Sequence, residues 1–255
     1  MRWWPVGVFG LLMGWAVQAN AADVDHAAWD RLLHRYVQDG RVDYAGLAAE
    51  RKALEGYAAS LANVEVNDLP SRDAQLAFWI NAYNAVVVQA VLQRYPLRSV
   101  RQVGGFFDGL RYQIAGRRLT LNDIEGAARA LGDWRSHFAV VCASSSCPPL
   151  RSEAYVPQHL DAQLAEQTRR FLKDSERGLK LAGNTLWVSK IFNWYPTDFV
   201  PAGQLGALRR LTAEKLLEVL EPYLDRQVLQ AAHGRKLGLK FLDYDWVLNG
   251  SAQGG

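Results

Sequence analysis

The stretch from Asp73 to Tyr95 constrains the fold more than any other part of the chain. Ser71 or Asp73 can cap a helix there, and Pro96 stops it. Leu76, Ala77, Phe78, Trp79, Ile80, Ala82, Tyr83, Ala85, Val86, Val87, Val88, Ala90, Val91 and Leu92 leave almost no polar face. A helix that is apolar all round must be wrapped by the rest of its domain, so the spacing predicts a central helix over 73–95. Asn81 and Asn84 interrupt it one turn apart, on nearly one face. A buried amide without partners is costly, so each must be hydrogen-bonded. Either they tie down neighbouring loops, or they line a pocket, orienting a histidine or binding a substrate carbonyl.

Around this helix the patterning predicts one α+β domain over residues 22–255. Ala28, Trp29, Leu32, Leu33 and Tyr36 recur at helical spacing, and Asp39-Gly40 signals a turn after them. A second helix is expected over 44–61. Residues 111–114 and 118–120 flank Ala115-Gly116-Arg117 as a hairpin, and a short helix follows from Asn122 to about Leu131. Residues 136–142 read as a strand of buried types. A helix over 157–173, a second hairpin about Ala182-Gly183-Asn184, two helices near 211–224 and 226–232, and a last strand over 239–244 complete the chain. Strand pairs joined by tight turns imply an antiparallel sheet packed against the buried central helix.

The termini and composition limit the function classes. Arg2, the short apolar run 6–17 and Ala19-Asn20-Ala21 read as a secretory leader over residues 1–21. The expected product is periplasmic or secreted. No later run reads as a membrane span. A net charge of +3 favours no charged partner. Basic pairs such as Arg117-Arg118 and Arg169-Arg170 lack interleaved aromatics, which argues against nucleic acid.

Chemistry concentrates at His137-Phe-Ala-Val-Val-Cys142-Ala-Ser-Ser-Ser-Cys147-Pro-Pro-Leu150, which holds both cysteines. In a strand, His137 and Cys142 would face opposite sides, because five positions is an odd offset. Cys147 follows a flexible segment and is then the easier partner for His137. One reading makes a cysteine the nucleophile, Cys147 or Cys142, with His137 as base and Glu125 or Asn81 orienting it. The other makes Cys142–Cys147 a structural disulfide, as an oxidising compartment favours. Two cysteines and one histidine lack a fourth ligand at any usual spacing, so no metal or cofactor is expected. Glu125 and Asp123 satisfy the first turn of their helix or, for Glu125, pair with His137. The aromatic segment 190–199 suggests a cleft wall through Trp194 and Tyr195. His26, His34 and His233 read as surface residues.

Six blocks in this order resemble one family, DUF547: AFWINAYNAVVVQAVL (77–92), LTLNDIE (119–125), HFAVVCASSSCPPL (137–150), RRFL (169–172), VSKIFNWYPTDF (188–199) and YDWVLN (244–249). One departure is Gly126, where the family pattern usually has His after the Ile-Glu pair. The arrangement is also similar to the papain and transglutaminase architecture, although there the nucleophile opens the central helix, and this helix has no Cys. Two functions remain: a thiol-dependent amide or peptide hydrolase or acyltransferase, and a non-catalytic module binding a small molecule, peptide or glycan, its loop stapled by the disulfide.

Overall fold

The computed structural model describes residues 23–201, 205 and 211–251. The expected leader over residues 1–21 lies outside the described residues. Helix α1 (Ala27–Tyr36) buries Trp29, Leu32 and Leu33, the stripe its spacing predicts. Asp39 (φ 51°) and Gly40 (φ 83°) then turn the chain between β1 (Val37–Gln38) and β2 (Arg41–Val42). Positive φ at both central residues suits the twist of a tight hairpin. Gly40 has a second duty: Pro149 packs directly where a side chain would sit, so the hairpin clamps the exit of the cysteine segment. The helix expected over 44–61 is broken into α2 (Tyr44–Leu47), a 3-10 turn at Ala48–Glu50 and α3 (Arg51–Ser60).

Helix α4 (Arg72–Leu92) is the central helix. The Ser71 side chain accepts from Ala74 N–H at 3.0 Å and caps it. Among the described residues it is the helix long and apolar enough to cross a membrane, but protein encloses it. Its two asparagines act on backbone. Asn81 donates to Tyr155 C=O (2.7 Å) and accepts from Tyr155 N–H (3.0 Å). Asn84 donates to Ala139 C=O and accepts from Val141 N–H, both at 2.9 Å. Each amide is thus spent on one loop, and Asn81 and Asn84 act as loop ties rather than as substrate-binding groups. Asn81→Ala or Asn84→Ala strands two buried backbone groups. Each change is expected to cost about 2–5 kcal/mol and to lower Tm in thermal melts by roughly 5–15 °C.

The hairpin β3 (Tyr112–Ile114) and β4 (Arg117–Leu119) turns at Ala115 and Gly116. It leads into α5 (Leu121–Ala130), where Thr120 Oγ1 accepts from Asp123 N–H and Asp123 Oδ2 accepts from Thr120 N–H. The strand expected over 136–142 does not form. Trp134–Phe138 is a 3-10 turn, begun by Asp133 accepting from Arg135 N–H at 3.0 Å. Only two consecutive β-branched residues, Val140 and Val141, favour extension, and the Asn84 amide takes the backbone groups a partner strand would need. Apolar residues in this segment therefore record burial, not pleating.

Helix α6 (Leu160–Lys173) follows, then β5 (Leu179–Ala182), β6 (Thr185–Val188), α7 (Ile191–Trp194), α8 (Pro196–Phe199), α9 (Ala213–Leu220), α10 (Arg226–Ala232) and β7 (Gly238–Phe241). The architecture is α+β. Among the described residues its strands form three small sheets: two hairpins, and a three-stranded sheet in which β5 is antiparallel and β7 parallel to β6. Two apolar cores result. The first surrounds α4 and takes in residues of α1, α3 and α5. The second joins Phe138, Phe171, Phe192 and Phe199 to Leu179, Leu186 and Val188 of the sheet and Leu216 and Leu220 of α9. Each buried Phe there contributes roughly 1.5–3 kcal/mol.

His26 is a correction to the surface reading. It is buried, and its Nδ1 lies 2.7 Å from Tyr57 Oη. Burial lowers its pKa to about 4, against the opposing pull of Asp25 and Asp23. A depressed folded value means that the neutral ring favours the fold. This contribution is full above the unfolded value near 6.5 and is lost as pH falls toward 4, to a limit of about 3 kcal/mol. Urea midpoints of the native chain should therefore fall between pH 6.5 and 4 more steeply than those of His26→Gln.

Candidate active site

At the seam of the two cores lies a cavity of about 480 Å³. Tyr83 of α4, Glu125 of α5, His137, Cys142 and Cys147 line it together with Trp194, Tyr195, Tyr244 and Trp246. The loop 104–109 closes an edge with Phe106 and Phe107. Gly105 (φ 67°) makes this loop possible, since its C=O accepts from both Gly109 N–H and Leu110 N–H at 2.9 Å while the two glycine backbones pack together.

His137 projects from the 3-10 turn into this seam, only 3% exposed. Its Nε2 is 2.8 Å from Asp198 Oδ2 on α8. Arg129 of α5 forks onto the same carboxylate, Nε to Oδ2 at 2.7 Å and Nη2 to Oδ1 at 3.2 Å. These donors, His137 first and then Arg129, hold the Asp198 carboxyl well below the usual carboxylate range in spite of its partial burial. An ionised carboxylate only accepts, so Nε2 carries the ring proton and Nδ1 carries the lone pair of the neutral imidazole. The ring is sandwiched by Tyr195, centroids 4.4 Å apart, and Phe199, 5.2 Å. Arg129 in turn lies over Tyr195 at 4.3 Å.

Glu125 is not the partner of His137. Its carboxylate takes the Tyr195 hydroxyl, whose pKa is pushed up by burial and then by Glu125. The carboxylate against the His137 ring is that of Asp198, where Glu125 or Asn81 was expected.

The cysteines lie beside each other, and both are free. The disulfide expected for this loop is not formed. Ala143 (φ 60°) begins the turn, and Cys147 N–H closes it on Ser144 C=O at 3.1 Å. Cys142 N–H donates to Cys147 Sγ at 2.9 Å. The C-terminal segment pins the loop from outside: Ser145 N–H donates to Val247 C=O, Asp245 N–H to Ser146 Oγ and Asn249 N–H to Ala143 C=O. That register carries Tyr244 inward. Its hydroxyl is 3.2 Å from Cys142 Sγ and receives a bond from Ser144 Oγ at 3.1 Å. Ser144 Oγ is also 3.2 Å from Cys142 Sγ.

The two thiols diverge. Burial opposes ionisation of both. At Cys142 the bonds from Cys147, Ser144 and Tyr244 outweigh it, so this thiol sits below its ordinary value. Burial and the Cys142 charge push Cys147 up. Cys142 is also the less buried of the two. The preference for Cys147 rested on strand parity, and it reverses once the strand is gone.

Trp194 and Tyr195 both line the cavity. Trp194 is the more exposed, at 43%. Its ring packs with Tyr244 (4.8 Å) and Trp246 (6.2 Å), and Arg101 caps the Trp246 ring at 5.4 Å. Sequence reasoning missed Asp198, Arg129, Tyr244 and the glycine loop. Asp198 stood in a segment singled out for its aromatics, and Tyr244 at the end of the last expected strand. Neither carried a local signal of its partner.

In comparisons with known proteins, no curated protein and no solved structure matches the chain. A family model described as a protein of unknown function, DUF547, matches residues 66–172. The match takes in α4, Glu125, His137 and both cysteines, while Asp198, Trp194 and Tyr244 lie beyond it. Over residues 66–172 the chain is thus similar to the DUF547 family.

Proposed function

We propose that the cavity is a thiol-dependent acyl-transfer site acting on an amide, peptide or ester bond. Cys142 is the nucleophile, His137 the general base and Asp198 the group that fixes its tautomer. One observation carries this reading: the single thiol held below its ordinary pKa opens onto the same cavity as an imidazole locked by an ionised carboxylate. His137 Nδ1 accepts the thiol proton. The Cys142 thiolate attacks the carbonyl carbon and the C–S bond forms. The C–N or C–O bond then breaks, and the protonated imidazole returns its proton to the leaving group. Water makes the second half-reaction a hydrolysis, and an amine makes it a transfer. The wall of Trp194, Tyr195 and Trp246 suits an apolar portion of the acyl donor.

Iodoacetamide labelling with peptide mapping tests the assignment of the thiol. Cys142 is expected to alkylate well ahead of Cys147, half-maximally below the pH near 8.5 of an unperturbed thiol. The same wall could serve a non-catalytic binding module. Labelling of Cys142 no faster than a free thiol would favour that reading.

A further inference from the structure

An acyl-transfer site needs a donor where the carbonyl oxygen becomes negative, and such donors contribute more than most other groups. The nucleophile's own backbone N–H is the nearest candidate. In this chain it is already committed, because Cys142 N–H donates to Cys147 Sγ at 2.9 Å. Several neighbouring backbone N–H groups are committed as well. Val141 N–H goes to Asn84, Ser145 N–H to Val247 and Cys147 N–H to Ser144. A side-chain donor also reaches the reacting sulfur, beside the Ser144 backbone and hydroxyl that help hold its pKa down. Tyr244 Oη stands 3.2 Å from Cys142 Sγ and is oriented by Ser144 Oγ–H, which donates to it at 3.1 Å.

We infer that the Tyr244 hydroxyl is an oxyanion donor of this site, following the negative charge from Cys142 Sγ to the carbonyl oxygen as the C–S bond forms. This inference rests on the acyl-transfer reading. Once His137 has taken the thiol proton, the charge is on sulfur and the phenol donates to it. Attack moves an electron pair from sulfur into the new C–S bond and the carbonyl π pair onto oxygen, one bond further out. The phenol then donates to that oxygen. Collapse restores the C=O bond, expels the leaving group with the proton from His137 and frees the hydroxyl. No proton leaves Tyr244 at any step. Burial and the two thiols hold its pKa far above the ordinary phenol range, so it stays a donor throughout. Ser144 touches the sulfur directly and also supplies the bond that aims the phenol.

Two reactions of the same sulfur separate this role from simple support of the thiolate. Alkylation by iodoacetamide creates no oxyanion, whereas acylation by p-nitrophenyl acetate does. Both are measured on the full chain on the high-pH plateau, where Cys142 is ionised. Tyr244→Phe is expected to slow acylation about 10²-fold or more while alkylation changes by less than about 3-fold. Equal effects on the two reactions would overturn the inference. If Tyr244→Phe fails to fold by near-UV circular dichroism, Ser144→Ala decides. It should slow acylation several-fold more than plateau alkylation, and equal effects on the two reactions would overturn the inference. Absence of any acylation in the unaltered chain would instead defeat the acyl-transfer reading on which the inference stands.

Discussion

Replacing Cys142 by Ala should lower acyl transfer by at least about 10³-fold, because no other group in the cavity can form the covalent intermediate. Cys147 cannot take over. It is buried, its thiol is pushed up by burial and by Cys142, and its sulfur accepts the Cys142 N–H. Cys147→Ala should therefore keep most of the activity, and it removes one hydrogen bond from the loop. Cys142→Ala should remain folded, since the loop is held by Asn84, Val247, Asp245 and Asn249 rather than by this side chain. Steady-state rates on an activated ester and thermal melts, taken on both variants, check the pair of expectations. Greater loss with Cys147→Ala would exchange the two roles.

Asp198→Asn should lower the rate by roughly 10²–10⁴-fold, nearly isosterically. The ionised carboxylate accepts from Nε2 and so leaves the lone pair on Nδ1. An amide can present its NH₂ to Nε2 instead, which moves the ring proton to Nδ1 and removes the base. The same change unpairs Arg129, whose fork onto Asp198 and stacking on Tyr195 lock α5 to α8. The pH dependence has a definite sign. The folded carboxyl is held below its unfolded value, so its contribution to stability is present above about pH 4 and is lost as pH falls further. In Asp198→Asn that part of the acid dependence should vanish. Unfolding midpoints below pH 4 in the two proteins measure it.

Much of the scaffold was legible because it is local. The turns at Asp39-Gly40 and Ala115-Gly116 announce themselves through residues that tolerate positive φ. The all-round apolarity of 72–92 permits only an enclosed helix. The segment 136–142 was misread because burial and strand propensity select the same residue types. What sets its course is the Asn84 amide, more than fifty positions earlier, and no window around His137 contains it. His26 was misjudged for a similar reason, since its partner Tyr57 lies on another helix. The site follows the same division. The sequence brought His137 and the cysteines together in one short stretch. The groups that make them chemically distinct, Asp198 at a separation of 61 and Tyr244 at 102, arrive only through tertiary packing.

The most direct measurement is to react the full chain briefly with p-nitrophenyl acetate, quench in acid and map the acetyl group by peptide mass spectrometry. The expected result is a single acetyl thioester on Cys142, formed in a burst matching one p-nitrophenolate per chain and absent from His137→Ala within the same interval. Acetylation confined to surface lysines, or a thioester on Cys147, would contradict the assignment of Cys142 and His137 as the reacting pair.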